Sequence, residues 1–431
     1  MAVLSLLSGA ALALGQPVLQ STAPAAAVPS SLRDATKAST FALPGGSVEN
    51  SAPLHWGPIE LKPHLFDRFI YSDGIQATPG RQTNTYINSL SVGFGAEIGR
   101  HWTMDYTPTW MIYTNKAFQN SVDHSLTVAA GYEIGDWLTQ FDQSYSKTNA
   151  PQIETGRQTS QETSQTNLSV LHRFNAHLSL EVSGAQNLQF IDKSPDYYDW
   201  STQEWLTYRF VSRLDLSVGY RLGFTDFDPG ASMTYSQPQA RIRWRIADKL
   251  TLSVQGGSET RKVNKHGFSR KTTPTYSATL AYQPFDQTLL TFTAQQSVSP
   301  SYFTNSVTEN KGWTADLQQR LFGRFTLSAG LSAQRSHYFG SHTEFVPSFT
   351  YTDVLDDDGN VIGFTTTVNY TPVTVIDLRN DSTRSSHIRL STPFLGRGTV
   401  TVLYDQTRNS SDIAGFTFNS HQVGVEVGYR Y

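Results

Sequence analysis

Short turns recur between Gly99 and Arg397, and nearly every one opens a run in which large apolar residues alternate with small polar ones. The clearest units begin at Gly99-Arg100-His101, Gly135-Asp136-Trp137, Asn175-Ala176-His177, Ala247-Asp248-Lys249, Phe285-Asp286-Gln287 and Phe322-Gly323-Arg324. A strand turns successive side chains to opposite faces, so each run has one greasy face and one wet face. From Phe325 the apolar positions are Phe325, Leu327, Ala329, Leu331 and Ala333, with Thr326, Ser328, Gly330, Ser332 and Gln334 between them. Leu214, Leu216, Val218, Tyr220, Leu222 and Phe224 alternate in the same way with Asp215, Ser217, Gly219, Arg221, Gly223 and Thr225. Tight turns joining such runs predict an all-β chain closed into an antiparallel transmembrane barrel.

A soluble sandwich has the same period with its apolar face turned inward. Length and aromatics argue against it. The runs cover roughly 9 to 11 residues, what a tilted strand needs to cross the hydrocarbon layer, whereas globular strands usually hold about 5 to 6. Trp102, Tyr132, Trp137, Tyr220, Tyr282, Tyr404, Tyr429 and Tyr431 gather near the run ends, where an interfacial girdle would sit. The chain is only 38% hydrophobic, and beyond its first residues no segment has the apolar length of a spanning helix. Strands are therefore the expected means of crossing. With no cysteine there are no disulfides, thiolate metal sites or lipid-modified N-terminal cysteine, and a net charge of -3 gives no sign of nucleic-acid binding.

Residues 1–15 are rich in Ala and Leu and read as a secretory signal peptide lacking its basic start, since the first positive charge is Arg33. Residues 16–56, rich in Ala, Pro and Ser without a period, read as a disordered periplasmic leader. Turns taken as boundaries place strands near 58–72, 83–98, 102–116, 121–134, 137–149, 157–173, 177–192, 197–212, 213–226, 231–246, 250–264, 271–285, 287–300, 303–321, 324–339, 380–394, 398–408 and 412–431. The barrel thus spans 57–431 with about 18 strands, 16 being the alternative even number. Short turns follow even-numbered strands and longer links follow odd ones, which sets the periplasmic and external ends. The longest link, 340–380, holds two β-like runs, 345–355 and 361–375, around Asp356-Asp357-Asp358-Gly359-Asn360, and reads as an external hairpin. Asp356, Asp358 and Asn360 have alternate oxygens that suit Ca²⁺, but without a distal Glu a solvated hairpin tip is the preferred reading, and no metal site is assigned.

If the wet face lines a lumen, the charges on it are the pore chemistry. Arg209, Arg221, Arg241, Arg243 and Arg245 form a basic wall on neighbouring strands, the last three alternating with Ile242, Trp244 and Ile246. Glu97, Asp105, Asp142, Asp405 and Glu426 fall on strands expected roughly opposite, as an acidic wall. Opposed walls would create a transverse field that orients polar solutes, whereas structural Arg-Asp pairing or chance is the plainer alternative. There is no His-Glu-x-x-His, Gly-x-Ser-x-Gly or glycine-rich phosphate loop, so no catalytic residues and no cofactor are expected.

In the last run Val423, Val425, Val427, Tyr429 and Tyr431 alternate with Gly424, Glu426, Gly428 and Arg430. With the signal-like start and the turn-strand units, this run makes residues 56–431 resemble the outer-membrane β-barrel porins of Gram-negative bacteria, in particular the β-barrel porin type 2 family, some members of which accompany exopolysaccharide operons. The resemblance implies that Val427, Tyr429 and Tyr431 form the signal read by the barrel-assembly machinery, although the terminal aromatic is Tyr where Phe is commoner. It also implies an outer-membrane location in contact with lipid, and passive diffusion of small hydrophilic solutes, with anions favoured by the arginines. The other reading is a non-conducting structural or exopolysaccharide-associated barrel that binds a surface polymer or protein partner. The oligomeric state is left open, a homo-oligomer included.

Overall fold

The computed structural model describes residues 54–430, apart from 193, 231, 264–269, 301–306, 340–341, 356–360 and 376–377. The signal-like segment, nearly all of the leader, Tyr431 and the turn at Asp356, Asp358 and Asn360 lie outside the described residues. The strands are β1 (Leu54–Trp56), β2 (Ile59–Thr78), β3 (Arg81–Ile98), β4 (Trp102–Tyr113), β5 (Ser121–Ile134), β6 (Trp137–Gln152), β7 (Arg157–Arg173), β8 (Leu178–Ile191), β9 (Asp196–Val211), β10 (Leu214–Asp228) and β11 (Met233–Ala247). They continue as β12 (Leu250–Val263), β13 (Lys271–Tyr282), β14 (Thr288–Pro300), β15 (Val307–Leu321), β16 (Phe325–Phe339), β17 (His342–Leu355), β18 (Val361–Val375), β19 (Leu378–Phe394), β20 (Gly398–Ser411) and β21 (Phe418–Arg430).

From β2 to β16 each strand pairs antiparallel with the next; β16 then pairs with β19, β19 with β20, β20 with β21, and β21 returns to β2. Setting aside the short edge strand β1, this is a closed barrel of 18 strands, the expected number. β17 and β18 pair only with each other, as a separate two-stranded sheet between β16 and β19. The barrel strands hold 12 to 20 residues. At about 3.4 Å per residue and a tilt near 40°, even the shortest covers an apolar band about 25 Å tall.

Several boundaries differ from the sequence reading, β2 for one running on to Thr78 rather than ending near 72. Leu54–Trp56, expected in the leader, pair with Ile59–Leu61. β2 overhangs its last β21 partner, at His64, and β1 meets the backbone groups that this overhang would leave unpaired. The final strand begins at Phe418 rather than near 412, because residues 412–417 form a turn that places Phe416 over the barrel mouth.

Side-chain exposure alternates with the sheet period, inverted relative to a soluble protein. On β10, Val218 is 62% and Leu222 48% exposed, whereas Ser217 before them and Thr225 after them are 6% and 0% exposed. On β21, Val423, Val425, Val427 and Tyr429 are exposed while Gln422 and Glu426 are buried. The polar face is the interior and the apolar face the exterior wall. Trp102, Tyr132, Trp137, Tyr208, Tyr282 and Tyr429 ring the tight-turn end, and the indole of Trp102 donates to the Tyr132 hydroxyl at 2.9 Å. At two of the tight turns paired left-handed residues reverse the chain: Phe322 (φ 50°) with Gly323 (φ 70°), and Leu395 (φ 47°) with Gly396 (φ 74°). Two consecutive positive φ angles give the twist that a two-residue hairpin needs.

Candidate functional site in the barrel lumen

The inward face of β8 to β11 is built in rows set by strand register. Glu181 on β8 sits beside Trp205 on β9, Trp205 beside Gly219 on β10, and Gly219 beside Gln239 on β11. Trp205 is 1% exposed, and its ring lies across Gly219. Any Cβ at Gly219 would stand 2.5 Å from the ring atom Cε3 of Trp205 and 2.6 Å from the Glu204 carbonyl oxygen. The guanidinium of Arg241, two residues beyond Gln239 on β11, stacks on this indole at 4.4 Å from the ring centroid and donates from Nη2 to Glu181 Oε2 at 3.4 Å. Trp205 thus serves as a platform that fixes a buried arginine. The signal for it lay in parity: its outward neighbours Leu206 and Tyr208 occupy the other face, which leaves an aromatic among the polar positions.

Arg243 and Arg245 follow Arg241 on the same face, and among the described residues neither forms an ion pair. Arg209 pairs with Asp215 at 3.1 Å. Arg221 donates to Ser201 Oγ at 3.2 Å and lies 5.3 Å from the Tyr235 ring centroid, and among the described residues it forms no ion pair with a carboxylate. The five arginines therefore share one wall with three carboxylates, Asp215, Glu181 and Asp199. Above them, Asp199 accepts from Thr225 at 2.7 Å and from Tyr235 at 3.1 Å, and Arg261 pairs with Glu259.

The five acids sit in a more mixed setting. Glu97 is bonded to Lys62, and Glu426 accepts from Arg68 Nε at 2.7 Å. Asp105 lies 3.8 Å from His64, and Asp405 3.6 Å from Arg389. Asp142 lines a small cavity with Arg100, Thr103 and Gln140 near the tight-turn end. Cross-strand cations interleave with these acids, so the wall formed by β19, β20, β21, β2, β3 and β4 is close to neutral while the β9 to β11 wall keeps excess positive charge.

The mouth opposite the tight turns is narrowed by the tip of the β6–β7 hairpin. There Ile153 packs in an apolar cluster with Ile70, Ile87, Tyr113, Phe118 and Phe418 inside the barrel. Arg379 at the start of β19 reaches the same tip, donating from Nη1 to the Glu154 carbonyl at 2.6 Å and from Nη2 to the Ile153 carbonyl at 3.3 Å. Asp381 accepts from Arg379 Nε at 3.0 Å, and the guanidinium lies 3.7 Å from the Phe416 ring centroid. This clamp joins β6–β7 to strands on the far side of the barrel. Sequence reading missed it, because Arg379 sits at the rim of a strand whose partners come from a distant turn.

Gly219→Leu should lower stability by roughly 1–3 kcal/mol, because the added side chain collides with Trp205 and with backbone. Urea unfolding of the lipid-reconstituted variant checks this, and an unchanged midpoint would remove the Trp205 platform from the account.

No protein-family model and no curated protein matches the chain. Among solved structures it is similar in shape to the outer membrane protein OpdK from Pseudomonas aeruginosa (12% identity, TM-score 0.42, covering 86% of this chain and 98% of that one). It is also similar to OpdF, or OccK2, from the same organism (10% identity, TM-score 0.46, 86% and 98% covered), and to OpdL (12% identity, TM-score 0.44, 87% and 99% covered). A siderophore receptor, PirA from Acinetobacter baumannii, matches at 8% identity and a TM-score of 0.40. At these values the likenesses bear on neither family nor solute.

Proposed function

We propose that the chain is a bacterial outer-membrane barrel through which small hydrophilic solutes diffuse passively, anions preferentially. The observation that carries the solute preference is the charge imbalance of the lumen: five arginines with three carboxylates on the β8 to β11 wall, against paired charges on the other side. The membrane reading is supported by the apolar exterior and by closure, since only a sheet without free edges satisfies its backbone in hydrocarbon. The tight-turn end, with its aromatic ring, is the periplasmic one, as short turns are in single-chain barrels.

Proteoliposome swelling tests the pore. The protein should admit a small sugar acid faster than the matching neutral sugar, and an amino sugar slowest. Equal rates for the three would leave a pore without the proposed preference. The second reading, a non-conducting barrel that binds a surface polymer or partner, is favoured by one observation: the apolar cluster and the Arg379 clamp fill part of the mouth. Well-folded protein that admits none of the three solutes would support it.

Val427 and Tyr429 face outward on β21, 46% and 45% exposed, where an assembly signal would be read before β21 closes on β2. Deleting Tyr431 should reduce the folded, heat-modifiable species seen on gels. Normal assembly of the truncated chain would remove the assembly role.

A further inference from the structure

The exterior wall is apolar at most positions between the tight turns and the upper rim, but a polar window interrupts it on β6 to β9. Gln143 on β6 and Thr166 and Ser164 on β7 face outward and bond one another, Gln143 Nε2 donating to Ser164 Oγ at 3.0 Å and Thr166 donating to the Gln143 carbonyl. Gln186 on β8 is the register neighbour of Thr166. Glu204 on β9 faces outward between Val182 and Tyr220, and among the described residues it has no hydrogen bond or ion pair. On β8 and β9 this is not the upper edge of the belt, because apolar side chains resume above it, Phe190 being 38% and Trp200 40% exposed, whereas on β6 and β7 polar outward positions continue toward the rim, where Lys147 bonds Glu162 at 2.6 Å. Hydrocarbon cannot solvate an amide or a carboxylate, so a window at this depth needs protein against it.

We infer that a second copy of this chain covers the window, in a two-fold pair whose axis runs along the membrane normal between β7 and β8. The inference rests on the membrane-spanning reading above. Such an axis sets β6 of one copy against β9 of its partner, and β7 against β8, at equal heights. Heights can be counted from the tight turns. Gln143 is six residues above Trp137, where β6 begins, and Glu204 is seven above Val211, where β9 ends; Thr166 is seven above Arg173 and Gln186 eight above Leu178. The acceptor-only carboxylate of Glu204 therefore faces the Gln143–Ser164 pair, whose amide protons go to the Ser144 carbonyl oxygen and Ser164 Oγ but whose Ser164 hydroxyl keeps a proton to donate, and the hydroxyl of Thr166 faces the amide of Gln186, twice each by symmetry. Gly184, with open space over its Cβ position, lies at the centre and lets the two walls approach closely.

The native chain contains no cysteine, so a single introduced thiol reports one contact. Leu168 is exposed beside Gly184, next to the axis, whereas Val402 is exposed on β20 in the far wall. On mild oxidation of native outer membranes, Leu168→Cys should run predominantly as a disulfide-linked dimer and Val402→Cys as a monomer. Adding Glu204→Lys to Leu168→Cys should cut the dimer yield several-fold. Folded, heat-modifiable Leu168→Cys protein that stays monomeric, or that cross-links no better than Val402→Cys, overturns the pairing. Absence of the protein from the membrane fraction would instead overturn the membrane reading beneath it.

Discussion

Replacing Arg241, Arg243 and Arg245 together with glutamine should abolish most of the anion preference of the pore, lowering the anion-to-cation permeability ratio on the order of tenfold. Glutamine keeps the polar face and most of the volume while removing three positive charges. Arg243 and Arg245 form no ion pair among the described residues, although Asp215, paired with Arg209, is the register neighbour of Arg243, so excess positive potential reaches into the lumen, where it decays over about 8 Å at physiological salt. Arg241 differs from them, being 3% exposed and already paired with Glu181, so its loss should act mainly by freeing that carboxylate. The zero-current potential in a salt gradient measures the change, which should grow as ionic strength falls. An unchanged potential with intact conductance would make the three residues structural.

Asp381→Ala should be the most destabilising single change, costing roughly 3–5 kcal/mol, because it leaves the guanidinium of Arg379 buried without its carboxylate. Both side chains are almost fully buried, at 3% and 1% exposure. Carbonyl oxygens of Ile153 and Glu154 and the Phe416 ring would remain around the cation, but none carries a full negative charge. The double change Arg379→Met with Asp381→Ala should recover much of the lost stability, since the uncompensated charge is then gone. The double variant also removes the Arg379 bonds that hold the β6–β7 tip, so its open-channel current should become noisier. A single variant as stable as the native chain in urea would show that the clamp carries no weight.

The barrel was legible in the sequence because its two signals are local. A period of two, as in Leu214 to Phe224, and a turn such as Phe322-Gly323 each need only a few consecutive residues, and the strand order of a meander follows from them. The inward position of Arg241, Arg243 and Arg245 follows from the same parity. What parity cannot supply is the partner across several strands. Arg241 reaches Glu181 over two intervening strands, and its platform depends on Gly219 opening space for Trp205. The neutral character of the β19 to β4 wall was hidden for a related reason: Arg68 meets Glu426 only when the last strand closes on β2. The clamp at Arg379 joins residues more than 200 positions apart and has no local signature at all.

The central claim is an aqueous path whose walls favour anions. The direct test is the zero-current potential of the purified native protein in a planar bilayer under a tenfold potassium chloride gradient. The account predicts stable open-channel steps and a potential of the sign set by chloride, larger at low salt. A potential of the opposite sign, or electrical silence from protein shown to be folded in the bilayer, would contradict it.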